Sequence, residues 1–391
     1  MIELLAPCHD FATLKSAVIN GANAVYFGVK SFNMRLGAKN FSVNDLKKIV
    51  NYCHNNSVKS YLTINSIIYE TELLKVDKLV EKAKLAKVDA IIIHDLSLIP
   101  IAKKYKIPFH ISTQASISNS VSANVYKSLG ASRVILAREV SLKDLKKIVE
   151  NSNIPIEVFV HGAMCVSISG RCFFSQELYG KSANRGECMQ PCRQKWIVKN
   201  DSGELIYDGE RFLNAKDLCT IEFLDKIIKT GVVSLKIEGR RKDSFYISTI
   251  VKVYREAIDN WNKKRIPEWL DMLNSVFNRG FSSGFYLRTP GKESINFKDD
   301  GNTSTFKKTN LGIVKDYYSK IGVAKILLNH KGVKLGDEII VEGKTSFVRQ
   351  KVESLEVDNK KVKKAEKNNL VALKVNDVVR KNDNVYLIKK V

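Results

Sequence analysis

The chain reads as an α/β protein: a (β/α)8 barrel of the TIM type followed by a small antiparallel β-barrel. Three observations predict this. Eight short β-rich apolar runs recur between Glu3 and Glu238, the early ones separated by amphipathic stretches of helical period. No G-x-G-x-x-G follows the first run, so the competing doubly wound sheet lacks its signature. Beyond residue 310 the pattern changes to short strand-like runs punctuated by turn residues.

Taken in order, the expected barrel strands are residues 3–6, 24–28, 60–64, 90–94, 109–113, 133–137, 156–161 and 234–238. Helix-like segments at 11–20, 43–55 and 72–86 carry apolar residues at helical spacing. Residues 283–309 turn polar and rich in Gly, Ser, Thr and Asn, which reads as a linker between domains at 1–282 and 310–391. The second domain offers strand-like runs at 311–318, 322–328, 338–342, 347–355, 370–375 and 384–388. Turn signals such as Lys334-Leu-Gly-Asp337 and Lys381-Asn-Asp-Asn384 separate them.

With 391 residues, 44% of them hydrophobic, the chain can bury a large core. No run of about eighteen apolar residues is present, which argues against a membrane span, and no secretory leader pattern opens the chain. A cytoplasmic, reducing setting is therefore expected, where cysteines favour metal over disulfides. The 64 Lys and Arg outnumber the 41 Asp and Glu, giving a net charge of +23. Such an excess draws polyanions by steering and counterion release, and RNA is the natural partner. The plainer explanation is a lysine-rich, solvated surface. A homo- or hetero-oligomer is compatible with either.

In a TIM-type barrel the reactive groups lie at the C-terminal ends of the strands. Those ends carry Asn65, His94 with Asp95, Gln114, Arg138 with Glu139, His161, and Lys236, Glu238 and Arg240. Any one of them alone is more often a turn or cap residue; so many together favour a site.

Four of the seven cysteines fall in one window, Cys165-x6-Cys172-x15-Cys188-x3-Cys192. It begins directly after the seventh strand, so it hangs over the barrel mouth. Soft thiolates that converge from glycine-containing loops suit an iron–sulfur cluster. Gly162, Gly170, Gly180 and Gly186 supply that flexibility. The C-x2-C knuckles typical of structural zinc are absent, which leaves zinc as the alternative to a 4Fe–4S cluster. Cys219 is a fifth candidate that competes with Cys192 as ligand, or packs beneath the mouth. Cys8 and Cys53 read as packing residues. His161, four residues before Cys165, is a candidate ligand, acid/base group or RNA contact, against the plainer reading of a satisfied strand-end histidine. Neither H-E-x-x-H nor G-x-S-x-G occurs, and there is no P-loop.

The string Glu157-x-Phe159-x-x-Gly162-Ala163-Met164-Cys165-x4-Gly170-x-Cys172-x-Phe174-Ser175 closely resembles the signature of the U32 peptidase (collagenase-like) family. Phe174 stands where that family usually has an aliphatic residue. The resemblance extends to Glu3-Leu-Leu-Ala-Pro7, Arg185-Gly186-x-Cys188-x3-Cys192-Arg193, Lys216-Asp217-Leu218-Cys219 and Lys236-Ile-Glu-Gly-Arg240, and so covers nearly the whole first domain. The tail is similar to the small β-barrel of translation factors that some members carry. Despite the family name, the resemblance implies hydroxylation of tRNA or rRNA pyrimidines, or of quinone precursors, by a 4Fe–4S protein. In the RNA branch it also implies prephenate as hydroxyl donor.

Three functions follow as expectations. The first is an RNA hydroxylase, acting foremost on a tRNA pyrimidine, with His161, Arg138, Glu139, Lys236, Glu238 and Arg240 near substrate. The second is a metal-dependent collagenase-like peptidase; the third is a non-catalytic RNA-binding factor.

Overall fold

The computed structural model describes residues 2–168, 171–297 and 301–391. Gly170, one of the glycines expected to ease the cysteine loops, lies outside them. The first eight strands are β1 (Glu3–Pro7), β2 (Ala24–Phe27), β3 (Lys59–Ile64), β4 (Ala90–Ile93), β5 (Phe109–Ile111), β6 (Arg133–Ile135), β7 (Ile156–Gly162) and β8 (Ser234–Ile237). They pair in parallel in chain order, and β8 closes the ring by pairing with both β7 and β1. Helices α1 (Phe11–Ile19), α2 (Leu46–Asn55), α3 (Leu73–Leu85), α4 (Leu98–Lys104), α5 (Ser120–Ser128) and α6 (Leu142–Asn151) cross between successive strands. The eight-stranded TIM-type barrel expected from the sequence is thus present.

Local chemistry explains these elements. The strands are apolar on both faces because parallel barrels bury both. Asp10 caps α1 by accepting from the Thr13 amide at 2.9 Å, and the Thr13 hydroxyl returns the bond in a capping box. Helix α2 buries Leu46, Ile49, Val50 and Cys53, the i, i+3, i+4, i+7 set of a core-facing stripe. In α3 the buried stripe is Val76, Leu79, Val80 and Ala83, which leaves Lys75, Lys78 and Lys82 on the exposed side.

Inside the barrel sits a buried ionic network. Glu157 on β7, fully buried, accepts from Lys236 of β8 at 3.0 Å and Arg133 of β6 at 2.9 Å, and Arg133 also reaches Glu3 of β1. Burial by itself would raise the Glu157 carboxyl, but Lys236, Arg133 and His110 hold it down at about 2. The network therefore ties β1, β6, β7 and β8 together with charge.

The insertion after β7 carries the cysteine window, an antiparallel hairpin of Trp196–Lys199 with Leu205–Glu210, and a strand at Asp217–Cys219 that pairs antiparallel with the end of β7. Helix α7 (Ser244–Asp259) follows β8, capped by Asp243. The stretch from Ser283, expected as a linker, instead packs on the barrel as far as Phe297. The Tyr286 hydroxyl donates to the Phe159 carbonyl at 2.7 Å, and Asn214 and Asn296 exchange bonds with each other's backbone. Its far end is already strand, because Phe306–Ile313 pairs antiparallel with Asn384–Lys390. Asn296 here serves buried backbone rather than solvent, its side chain donating to the Arg279 carbonyl at 3.0 Å.

The C-terminal strands form an eight-stranded antiparallel sheet, with a two-stranded sheet of Val333–Lys334 and Lys364–Ala365 beside it, over a separate apolar core that includes Leu311, Ile326, Ile339 and Val385. Arg349 anchors it to the barrel, donating to Thr249 of α7 at 2.8 Å and to Glu338 at 2.6 Å. No helix among the described residues is long and apolar enough to cross a membrane.

Replacing Glu157 with alanine strands Lys236 and leaves Arg133 with Glu3 alone. The expected cost is about 3–5 kcal/mol of unfolding free energy, measured from the denaturant midpoint. The paired change Glu157→Met with Lys236→Met should recover most of it. A loss below about 1 kcal/mol for the single variant would show that the network does not hold the barrel.

Candidate functional site

The site begins where β7 ends. Gly162 adopts φ +109°, and a Cβ there would stand 2.6 Å from the Glu238 carbonyl, so only glycine lets the chain turn off the strand into the cysteine window. Arg193 pins the window's far end. Its guanidinium donates to the Ala215 carbonyl at 2.6 Å, to Asn214 at 3.1 Å and to the Met164 carbonyl. Gly186, also at positive φ, sits tight against the backbone of Asn33 in the loop after β2.

Held this way, Cys165, Cys172, Cys188 and Cys192 all line one cavity of about 110 Å³ at the barrel mouth. Burial raises the Cys192 thiol above its ordinary value. Arg193 opposes this, and the neighbouring Cys165, Cys188 and Cys172 each raise it further. Four thiolates brought together repel, and a positive centre between them would relieve that. The Phe174 amide points at the Cys172 sulfur at 3.4 Å, the kind of N–H···S contact that stabilises a ligating thiolate. Among the described residues no three Cys, His, Asp or Glu side chains stand close enough as they are to grip a metal ion. The donor set and its placement fit a thiolate-held group, and the loops would have to draw in around it.

Cys219 is placed elsewhere. It is fully buried on the Asp217–Cys219 strand, with its sulfur 4.0 Å from the Tyr254 hydroxyl, and it does not line the cavity. Burial pushes its thiol up to about 12. His161, directly across from it in the ladder, is likewise enclosed, packed among Tyr246, Tyr254 and Phe281 with Nδ1 3.3 Å from the Tyr254 hydroxyl. Burial, with a smaller push from Lys242, lowers its pKa to about 3, so the ring is neutral at physiological pH. The structure thus places His161 beneath the mouth, in contact with neither cavity of the barrel top.

The other strand-end residues divide. Arg138 lines both the cysteine cavity and a smaller chamber of about 40 Å³ beneath it. It lies over the Phe159 ring at 4.1 Å and donates to the Ala163 carbonyl at 2.6 Å, while its Nε has no partner among the described residues. Glu139 faces the cysteine cavity with Oε2 buried and unpartnered among the same residues. Gln114 lines both spaces and accepts from Asn65 at 3.1 Å. Lys236, Glu238 and Arg240 line only the lower chamber, and each is already engaged. Lys236 holds Glu157, Glu238 receives Arg35 at 3.2 Å, and Arg240 donates to Thr63, Asn33 and Asn40. Asp95 caps the Ser97 turn, and His94 lines neither space.

Sequence reasoning missed Arg35 and Arg241. Both line the cysteine cavity, and Arg241 reaches the Cys188 carbonyl at 3.4 Å. Arg35 had a legible signal, the polar run Asn33-Met34-Arg35 directly after the second strand, where a barrel carries its functional loops.

No histidine lines either space among the described residues, so the cysteines have no imidazole beside them to act as a base. The model of peptidase family U32 matches residues 9–296. The chain belongs to peptidase family U32. This U32 chain is 40% identical over 405 aligned positions to an uncharacterized protease of Methanocaldococcus jannaschii, covering 100% of itself and 99% of that protein. It is 35% identical to a collagenase of Porphyromonas gingivalis, covering 99% and 98%. Its identity to tRNA hydroxylation protein P1 of Bacillus subtilis is 33%, covering 86% and 82%. The similar proteins thus bear names of two unlike chemistries on one scaffold.

The neutral His161 carries a pH signature. The unfolded ring binds a proton near its ordinary 6.5 and the folded ring only near 3, so its share of stability is present above pH 6.5 and is lost as pH falls toward 3. Unfolding free energy followed from pH 7 to 4 should decline with a slope that His161→Phe reduces by up to about 1.4 kcal/mol per pH unit. An unchanged slope in the variant would mean that the ring is protonated in the fold.

Proposed function

We propose that this protein hydroxylates a pyrimidine base of RNA, foremost of tRNA, at the mouth of its barrel, with Cys165, Cys172, Cys188 and Cys192 holding a 4Fe–4S cluster. The observation that carries the reading is the convergence of these four thiols on one cavity whose other walls combine apolar side chains with four arginines, two glutamines and Glu139. Likeness to a tRNA hydroxylation protein over most of both chains supports the substrate class. When bound, the cluster would supply one-electron chemistry that no protein side chain offers.

The chain's own groups do the rest. Arg35, Arg138 and Arg241 present guanidinium groups at the cavity, suited to an RNA phosphate or to the carboxylates of a donor such as prephenate. Glu139, with one oxygen unpartnered among the described residues, is placed to exchange a proton with a base held in the cavity. Gln114 can read the amide edge of a pyrimidine. Arg193 and Gly162 hold the window in place. Lys236 and Arg240 shape the chamber below, Lys236 held by Glu157 and Arg240 by Thr63, Asn33 and Asn40.

The collagenase reading has one observation in its favour, the 35% identity to a protein of that name over nearly the full length. It lacks a nucleophile–base pair at the mouth.

Protein purified without oxygen should be brown and contain iron and sulfide. Cys165→Ser, Cys172→Ser, Cys188→Ser and Cys192→Ser should each lose most of the colour, while Cys219→Ser keeps it. A colourless wild type with one tight zinc would defeat the cluster. Nucleoside mass spectrometry of RNA from a deletion strain should show a hydroxypyrimidine missing, restored by the wild-type gene. The Glu139→Gln gene should restore it at a rate lower by about 100-fold or more. An unchanged nucleoside profile, together with gelatin cleavage abolished by Cys165→Ala, would establish the peptidase instead.

A further inference from the structure

The loop between β2 and α2 has two sides. Met34, Arg35 and Gly37 face the cysteine cavity, while Ser31, Phe32 and Leu36 line a separate groove of about 490 Å³ on the outside of the barrel. The cysteine window straddles the same boundary: Gly186 belongs to the cavity and its neighbour Arg185 to the groove. The floor of the groove is α3. Because that helix buries Val76, Leu79, Val80 and Ala83, its residues at i, i+3 and i+7 from Lys75 must face outward, and all three are lysines. Lys30 from the end of β2 adds a fourth.

The charge there is unbalanced. Glu72 is the one carboxylate lining the groove among the described residues, and Arg185 engages both its oxygens at 2.7 and 2.6 Å. Lys30, Lys75, Lys78 and Lys82 have no carboxylate within ion-pair distance among the described residues. Of the two acids within α3, Asp77 is taken by Lys104 at 2.8 Å, and Glu81 neither lines the groove nor forms an ion pair among the described residues. Four exposed ammonium groups held along one groove repel one another unless an anion lies between them. At the mouth-side end, the Arg185 guanidinium lies 4.1 Å over the ring of Tyr69, which is 55% exposed. An exposed ring topped by a guanidinium plane is a surface on which a base stacks.

We propose that this groove binds the sugar-phosphate backbone of the RNA substrate, and that Tyr69 and Arg185 stack a base flanking the nucleotide presented to the cysteine cavity. Lys75 to Lys82 spans about 10 Å along the helix, the rise of about three nucleotides of one strand. The loop from Ser31 to Gly37 and the Arg185–Gly186 step then form the wall between backbone groove and reaction cavity. A strand gripped in the groove crosses that wall to deliver its base. The proposal rests on the RNA reading above, and it adds the surface on which the RNA lies.

The test compares two triple variants of the full chain with equal change in charge. One is Lys75→Glu, Lys78→Glu, Lys82→Glu; the other is Lys360→Glu, Lys361→Glu, Lys363→Glu, three exposed lysines of the C-terminal domain. Binding of bulk tRNA is titrated by fluorescence anisotropy between 50 and 300 mM salt, roughly the range over which counterion release is resolved. Thermal melts and visible absorbance establish that the fold and the cysteine site are unchanged. The α3 variant should bind on the order of 10- to 100-fold more weakly. Its slope of log affinity against log salt should be shallower by about 2 to 3. Tyr69→Ala should weaken binding with little change in slope. The C-terminal variant should stay within about threefold of wild type. Equal loss in both triple variants, or none in the α3 variant while wild type binds tRNA, overturns the groove and leaves RNA hydroxylation standing. A wild type that binds neither tRNA nor ribosomal RNA overturns both.

Discussion

The mouth of this barrel depends on one buried cation. Arg240, leaving the end of β8, is 2% exposed and forms no ion pair among the described residues; it donates instead to the Thr63 hydroxyl on β3 and to the side-chain oxygens of Asn33 and Asn40. Burying a guanidinium is costly, and burial draws its pKa down to about 10, yet it remains charged at neutral pH. Its hydrogen bonds therefore have to be made, and the groups that make them are the two ends of the loop after β2. An uncapped loop of this length would wander; clamped at Asn33 and Asn40, it becomes a fixed wall. Glu238, two residues earlier, completes the clamp by holding Arg35.

That wall organises the chemistry on both sides. Toward the barrel axis it presents Arg35 and Met34 to the cysteines, and Gly186 can lie against it only because a side chain there would collide with Asn33. Toward the outside it closes the lysine groove of α3. The division of labour among cations follows from their partners. Arg133, Lys236 and Arg240 are engaged by side chains inside the protein and act as framework, although the Arg240 Nε is buried without a partner among the described residues. Arg138 and Arg241 keep donor capacity facing the cavity, and the α3 lysines face outward without counter-charge. A formal excess of +23 says nothing about this partition; burial and pairing do.

The barrel was legible because parallel strands buried on both faces are nearly continuous apolar runs, and all eight stand out between turn residues. The cysteine window was legible as density and spacing. What the sequence could not show are contacts across long separations. Local spacing favoured Cys192, which lines the cavity, but could not show that Cys219 lies on a strand returning beneath the end of β7. His161 looked like a strand-end catalytic group because alternation places it at the mouth. The aromatic cage that dries and neutralises it comes from Tyr246, Tyr254 and Phe281, far along the chain. The Asn-rich stretch after Ser283 resembled a linker for the same reason: its partners, Asn214 and the Phe159 carbonyl, are distant in sequence.

One scaffold bearing two kinds of name becomes intelligible in these terms. Peptide hydrolysis through a cysteine requires a thiolate paired with a base that can accept and return a proton near neutral pH. Here the nearby histidine is sealed under the mouth in its neutral form, and each cysteine at the cavity has other cysteines and arginines as neighbours. The Cys192 thiol, raised by burial, is a poor nucleophile singly, yet four thiols gathered on one cavity are strong ligands once a cation lies between them. The same residues that spoil the site for hydrolysis suit it for holding a redox group. Arginines around the rim suit an anionic group rather than proton transfer, because a guanidinium does not titrate in this range. Glu139, half-buried with its Oε2 enclosed and unpartnered, is the one carboxylate among the described residues that lines the cysteine cavity.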